Sequence, residues 1–210
     1  MVTKNNPSFY VFGSIGYLTT FFVTPDLFEY ALKNNLHGPE SGRNVHHQLL
    51  YGEFLDGDDY GHYPEYIKFP VVYRQEEGKK MRDMLDMRFD GNCFLISDRM
   101  KQLMEDNDIT GWKSYPVLVY DKKGNEIKGY HGFTVTGRGG EMKLLLPYNQ
   151  IPYGERSRYC QWEQKDWDGS DIFRISPNYL IVTKRTMLLL KKNKITSPSF
   201  YPLSEYATIL

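Results

Sequence analysis

Cysteine is scarce in this chain, which has only Cys93 and Cys160 among its 210 residues. Two cysteines cannot form the network of disulfides that stabilises many small secreted proteins. Cys93 lies in the apolar run of residues 93–96, where a buried thiol behaves as a small hydrophobic side chain. We therefore expect the protein to work in a reducing compartment, the cytoplasm.

Long apolar segments and an excess of charge are also missing. No apolar run approaches the roughly 18–20 residues that a membrane helix needs, and the first residues, Met1 to Pro7, lack the pattern of a signal peptide. Lysine and arginine (26) balance aspartate and glutamate (26). We expect neither a membrane nor a nucleic acid as a partner.

Catalytic motifs are absent as well. The chain contains no Gly-x-Ser-x-Gly, no Cys-x-x-Cys and no His-Glu-x-x-His. The glycine-rich run at 137–140 lacks the Gly-Lys-Ser/Thr ending of a phosphate loop, and we interpret it as a hairpin turn. We expect a protein that binds another protein, without catalytic residues, metal or cofactor.

What the chain does contain is an internal similarity. Residues 92–117, the first unit, align without gaps on residues 178–203, the second unit. Both units keep an Asn-x-Ile-Thr sequence and a later Tyr-Pro, which simple patterning would rarely produce twice. The identical pairs are Asn92/Asn178, Arg99/Arg185, Leu103/Leu189, Asn107/Asn193, Ile109/Ile195, Thr110/Thr196, Tyr115/Tyr201 and Pro116/Pro202.

Each unit predicts a short buried strand followed by a helix. Ser97 and Thr183 come directly after the apolar runs, and their hydroxyl groups suit the first position of a helix. Apolar residues then recur at helical spacing. Asn107 and Asn193 follow the helices, where asparagine tolerates a left-handed backbone. A weaker third copy is predicted at 21–38.

Outside the units the pattern is mostly that of strands. Residues 117–147 predict a β-meander, 9–12 and 69–73 further strands, and 80–87 a short helix. The fold class we expect is α+β, with a mixed or antiparallel sheet, a few short helices and the strand–cap–helix repeat. We divide the chain into an N-terminal part, 1–90, that packs on a second part, 91–210.

Two irregular stretches, 38–68 and 147–176, are longer than ordinary connections and are therefore either functional or contain elements that the pattern does not reveal. Residues 44–67 carry five acidic residues and no lysine or arginine, interleaved with aromatic residues. Acidic groups can steer a basic partner, and tyrosine is common at interfaces. The alternative is a solvated loop. The partner-binding residues that we predict here are Tyr51, Phe54, Asp56, Asp58, Asp59, Tyr60 and Tyr63.

Trp162 and Trp167 flank charged residues in the second irregular stretch, and we predict them as secondary partner contacts. A rival interpretation is a metal-dependent hydrolase that uses His46, His47, His62 and Asp58. The adjacent histidines point to opposite faces if they lie on a strand, which disfavours a shared metal. A third interpretation is a scaffold module, or one that binds a small ligand between the two units.

The order of motifs resembles that of a known family. Ile96-Ser97 and a helix are followed by Tyr115-Pro116-Val117, then by Ser-Asp-Ile-Phe at 170–173, and then by Val182-Thr183 and a second helix. This arrangement resembles the immunity proteins of bacterial polymorphic toxin systems, in the family marked by the Ser-Asp-Ile-Phe element. The resemblance covers residues 91–206 and leaves the first ninety residues unplaced.

The resemblance implies a cytoplasmic antidote that binds and neutralises the toxin domain of its own system. It carries no catalytic residues over to this chain. Some relatives have a Cys-x-x-Cys-Gly element, and its absence here means that no metal is carried over either.

Overall fold

The computed structural model describes residues 8–15, 19–27, 49–50, 67–86, 95–176 and 179–210. Over these ranges the protein is mostly strand with a few short helices, which confirms the α+β class. The strands are β1 (Phe9–Ser14), β2 (Phe22–Pro25), β3 (Val71–Glu77), β4 (Met84–Leu85), β5 (Leu95–Ser97), β6 (Trp112–Tyr115), β7 (Val117–Tyr120), β8 (Glu126–Ile127), β9 (Tyr130–Val135), β10 (Gly137–Leu144), β11 (Cys160–Trp162), β12 (Ile172–Ser176), β13 (Tyr179–Thr183), β14 (Pro198–Pro202) and β15 (Thr208–Ile209).

Three α-helices have both ends within the described ranges. They are α1 (Asp98–Asp106), α2 (Arg156–Tyr159) and α3 (Lys184–Lys192). Single 3₁₀ turns lie at Tyr148–Gln150, Gln164–Asp166 and Leu203–Glu205.

The strands form three sheets. The largest has the order β14-β1-β13-β12-β10-β11-β15, and the two smaller ones have the orders β2-β3-β7-β8 and β4-β5-β9-β6. Most pairs are antiparallel, whereas β3/β7, β10/β12 and β11/β15 are parallel. Strands from the N-terminal part therefore pair with strands from the rest of the chain in every sheet.

The two longer helices pack onto one shared core. Met100 and Met104 of α1 join Met187 and Leu190 of α3 in a cluster that also contains residues of the seven-stranded sheet, such as Val182, and of the β4-β5-β9-β6 sheet. Apolar spacing along each helix places these side chains on one face, and burial of that face stabilises helices too short to be stable alone.

Both predicted helix starts are confirmed. Ser97 precedes α1 and its hydroxyl oxygen accepts a hydrogen bond from the Met100 N–H at 3.2 Å. Thr183 precedes α3 and accepts from the Thr186 N–H at 3.4 Å. Each hydroxyl satisfies one of the backbone donors that a helix start leaves without a partner.

The helix ends differ in detail from the expectation. Asn107 and Asn193 do follow the helices, but their φ angles are −112° and −87°, so neither is left-handed. Their side-chain amides instead donate to the carbonyls of Leu103 and Leu189, one helical turn back. The left-handed residues are the next ones along the chain, Asp108 and Lys194, with φ of 49° and 52°.

The predicted meander is wrong. Only β7 and β8 pair as a meander would have them, whereas β9 and β10 each lie in a different sheet from that pair and from each other. The glycines at 137–140 belong to β10 and do not form a hairpin turn. A Cβ atom on Gly137 would lie 2.2 Å from the Ile172 carbonyl oxygen, and one on Gly139 would lie 2.6 Å from the Phe173 ring. Glycine therefore permits β10 to pass close to β12, a need that local sequence does not reveal.

Two further expectations change. Residues 80–86 hold β4 and a bridge from Lys80 to Thr20, so the described part of the predicted 80–87 helix is extended. The stretch 147–176 contains α2, β11 and β12 and is not structureless. Of the weak third copy, β2 is described and residues 28–38 lie outside the described ranges.

Candidate interaction surface

Large apolar side chains are exposed on a short segment after β10. Leu144 and Leu145 are each 49% exposed, Tyr148 is 68% exposed, and the ring of Tyr153 is completely exposed. Arg156 is exposed beside them, at the start of α2. We call these five residues the aromatic patch. Tyrosine and arginine are the residue types that contribute most to binding at protein interfaces.

The backbone around the patch is held in place by hydrogen bonds and prolines. The Leu145 N–H donates to the Tyr159 carbonyl at 2.8 Å, which ties the end of β10 to the end of α2. Pro147 restricts φ, and its carbonyl accepts from the Gln150 N–H at 2.8 Å. The patch is thus presented by a constrained segment of backbone.

Arg156 stacks on two aromatic rings. The carbon atom of its guanidinium group lies 5.5 Å from the centre of the Tyr148 ring and 5.8 Å from that of Tyr179. Both distances are within the range of cation–π attraction. Burial raises the pKa of the Tyr179 hydroxyl. These contacts hold the guanidinium group against the Tyr148 ring.

The acidic residues near the patch already have cationic partners. Glu163 accepts from Lys143 at 2.8 Å and also pairs with Lys165. The hydrogen bonds from these lysines lower the pKa of Glu163 to about 2. Glu155 lies 3.4 Å from Arg158. Among the described residues, by contrast, no carboxylate forms an ion pair with Arg156.

The two tryptophans differ in their burial. Trp162 is fully buried, stacks on Phe173 at 5.7 Å, and donates its indole N–H to the Gly139 carbonyl at 2.5 Å. It therefore cannot contact a partner directly, because the core covers it on all sides. Trp167 is half-buried, packs 5.1 Å from Phe9, and donates to the Ser170 carbonyl at 2.9 Å.

The other predicted contacts, Tyr51, Phe54, Asp56, Asp58, Asp59, Tyr60 and Tyr63, lie outside the described residues. The same holds for His46, His47 and His62 of the hydrolase interpretation. Within the described ranges, no group of three or more histidine, cysteine, aspartate or glutamate side chains could hold a metal ion. No helix there is long and apolar enough to cross a membrane.

An open cavity of about 300 Å³ lies where the two units meet and is lined in part by Asn107, Arg185 and Lys192. This is the place where the third interpretation would put a small ligand. This cavity is open to solvent, whereas small-molecule sites are usually enclosed and mostly apolar.

The sequence pattern does not predict the aromatic patch. Residues 144–146 are three consecutive leucines at the end of a predicted strand, and two prolines and two tyrosines follow at once. A run of this kind is consistent with a buried strand as well as with an exposed one. The only available signal was that this segment opens a long irregular stretch.

One comparison with known proteins places the chain in a family. A model described as the Immunity protein family (Imm11) matches residues 28–138, more than half of the chain. This protein belongs to that immunity protein family. The resemblance inferred from the sequence motifs is thereby confirmed at the level of an immunity family.

The matched range differs from the range over which the motifs suggested the resemblance. It includes most of the N-terminal part that the motifs left unplaced, and it ends before the Ser-Asp-Ile-Phe element at 170–173. It also crosses the predicted boundary at residue 90, which stays a prediction. No curated protein matches this chain.

Proposed function

We propose that this protein is the cytoplasmic antidote to a toxin of its own polymorphic toxin system and acts by binding the toxin domain. Membership of the immunity protein family is the observation that carries the proposal. An antidote of this kind needs a surface complementary to the toxin and no catalytic residues. The proposed activity is therefore stoichiometric neutralisation and not turnover.

We place the first contact with the toxin at the acidic and aromatic stretch defined by Tyr51, Phe54, Asp56, Asp58, Asp59, Tyr60 and Tyr63. Its negative charge complements a basic surface, and toxins that act on nucleic acids present such surfaces to bind phosphates. Charge of one sign accelerates association with a partner of the other sign. Trp167, which is half-buried, is kept as a secondary contact.

We further propose that the two units are copies of one strand–cap–helix element and form the rigid scaffold for binding. Several contacts support this. Arg99 donates to the carbonyl of Asn193, and Arg185 donates to the carbonyl of Asn107. Each helix start is thereby linked to the end of the other helix.

The test begins with the gene next to this one, which should encode a large secreted protein with a variable C-terminal domain. That C-terminal domain is produced in the cytoplasm with and without this protein, and growth is measured. Growth should stop with the domain alone and recover with both. The two proteins should also co-purify in equal amounts.

An unrelated immunity protein, expressed at the same level, serves as the control and should not restore growth. Recovery of growth without a complex between the two proteins would show that protection is not achieved by binding. Absence of both recovery and complex would overturn the proposal.

A further inference from the structure

We propose that the aromatic patch, Leu144, Leu145, Tyr148, Tyr153 and Arg156, is a docking surface for a protein that presents a carboxylate surrounded by apolar side chains. The partner we assign to it is the toxin domain, so this inference rests on the proposed function. It adds a second contact surface to the stretch at 51–63 and specifies the chemistry of the toxin surface that meets it.

The first argument is exposure. A single exposed leucine or tyrosine is ordinary on a protein surface, but here four lie within ten residues and are about half to fully exposed. Tyr153 gains nothing from folding, because its ring remains completely in water. Burying this group against a partner would remove apolar area from water, and that burial is the main source of binding free energy.

The second argument is the position of Arg156. The rings of Tyr148 and Tyr179 hold its guanidinium group, whereas Glu155 and Glu163 are already engaged by Arg158, Lys143 and Lys165. A planar guanidinium presents several N–H donors in a fixed geometry that matches a carboxylate. The surface therefore complements one aspartate or glutamate at the centre of an apolar contact.

The third argument is preorganisation. The segment is restricted by Pro147 and Pro152 and tied by the hydrogen bond from Leu145 to Tyr159. Little backbone entropy remains to be lost when a partner binds, and a rigid surface binds more tightly than a mobile one of the same area.

The test measures binding of a catalytically inactive form of the neighbouring gene's C-terminal domain by calorimetry. The variants are Tyr148→Ala combined with Tyr153→Ala, Leu144→Ala, and Arg156→Glu. We expect the double tyrosine variant and Arg156→Glu each to weaken binding about 10- to 100-fold, because these side chains have the properties of interface hot spots. Arg156→Lys keeps the charge but not the planar geometry, so its affinity should lie between those of the wild type and Arg156→Glu.

Matched controls exist elsewhere on the surface. Leu188 is 51% exposed and Tyr201 is 50% exposed, close to the values for Leu144 and Leu145. Leu188→Ala and Tyr201→Ala should change the dissociation constant less than about twofold. Unfolding midpoints of all variants should match the wild type to show that any loss of binding is local.

The outcomes separate the inference from the proposed function. If the wild type binds the domain and the patch variants bind equally well, the inference is overturned and the function stands. If the wild type does not bind, both fail. If the patch variants lose self-association in sedimentation, or lose binding to anionic phosphatidylglycerol vesicles, while binding of the domain is unchanged, the patch belongs to a second copy or to a lipid surface, and the inference is likewise overturned.

Discussion

Asp83 binds Thr196 across 113 residues of the chain, and one carboxylate oxygen accepts both the backbone N–H and the hydroxyl of Thr196 at 2.8 Å. Asp171 holds Thr110 in the same way, at 3.2 and 3.3 Å. Asp83 also accepts from the hydroxyl of Ser97, and Asp171 from that of Thr183. Each aspartate therefore connects the start of one helix to the loop that follows the other helix.

The first prediction concerns these two aspartates. Each is only 8% exposed and accepts several hydrogen bonds, including one from Arg99 or Arg185. We expect Asp83→Asn and Asp171→Asn each to lower the free energy of unfolding by about 2–3 kcal/mol, because an amide cannot accept from all of these donors. Urea unfolding measures the loss.

Glu105→Gln is the matched control, since Glu105 is exposed and, within the described ranges, forms an ion pair only with Lys101, at 3.2 Å. It should change stability by no more than about 0.5 kcal/mol. Equal effects of Glu105→Gln and Asp83→Asn would show that the aspartates act merely as surface charges.

The second prediction concerns the helix starts. Ser97→Ala and Thr183→Ala remove the oxygen that accepts from the Met100 and Thr186 N–H groups, and also the hydroxyl that donates to Asp83 or Asp171. We expect each substitution to lower the free energy of unfolding by about 1–2 kcal/mol. In the double variant Ser97→Ala with Asp83→Asn, the combined loss measured by urea unfolding should be smaller than the sum, because the two side chains share a hydrogen bond. Strict additivity would contradict this coupling.

The third prediction separates the two tryptophans. Trp162→Ala leaves a large cavity beside Phe9 and Phe173. It should lower the free energy of unfolding by about 3–5 kcal/mol, or prevent folding. Trp162→Phe keeps most of the volume and should fold with a smaller loss. Trp167→Ala should cost less than Trp162→Ala, since Trp167 is only half-buried. Thermal unfolding gives the order; a larger loss for Trp167 would contradict it.

The fourth prediction is a pH dependence. Tyr130 donates its hydroxyl to the Arg82 carbonyl at 2.8 Å, and burial, together with the charge of Asp83, raises its pKa from 10.0 to about 12. Folding thus favours the protonated phenol. The resulting stabilisation is complete below pH 10 and is lost as the pH rises towards 12.

Tyr130→Phe should therefore lose about 1 kcal/mol at neutral pH, from the missing hydrogen bond, but decline less steeply than the wild type at alkaline pH. Tyr153→Phe, which alters a completely exposed ring, is the control. Urea unfolding at a series of pH values gives both curves, and parallel curves for Tyr130→Phe and wild type above pH 10 would refute the assignment.

The fifth prediction concerns the acidic stretch. Replacing Asp56, Asp58 and Asp59 by asparagine should slow association with the toxin domain about 10-fold at low salt, because steering by opposite charge is lost. The difference should shrink as salt is added, since ions screen exposed charges. Stopped-flow mixing measures these rates. An unchanged association rate at low salt would remove this stretch from the proposed contact surface.

Much of the local structure could be predicted because it depends on neighbouring residues. Ser97 and Thr183 mark helix starts, since the hydroxyl and the N–H it accepts are three positions apart. Met100, Met104 and Leu190 lie on buried faces because helical spacing brings them to one side. The family could also be inferred, since it depends on an ordered set of short motifs.

The aromatic patch and the burial of Trp162 could not be predicted in this way. A run of leucines has the same sequence pattern whether or not a partner covers it. A tryptophan between charged residues has the pattern of a surface residue, and only the structure shows that Phe9 and Phe173 pack against Trp162. The glycines at 137–140 were likewise predicted to form a turn. The contact that requires them is with β12, which lies more than thirty residues away in the sequence.

By itself, then, the sequence determined the α+β class, the two helix starts, the apolar helix faces and the membership of an immunity family. Only the tertiary structure decided that the four successive strands from β7 to β10 are distributed over three sheets and that Asp83 and Asp171 link the two units. It also decided that Leu144, Tyr148 and Tyr153 stay in water. The physical reason is that capping and helical spacing act between near neighbours, whereas burial and strand pairing depend on residues brought together from distant parts of the chain.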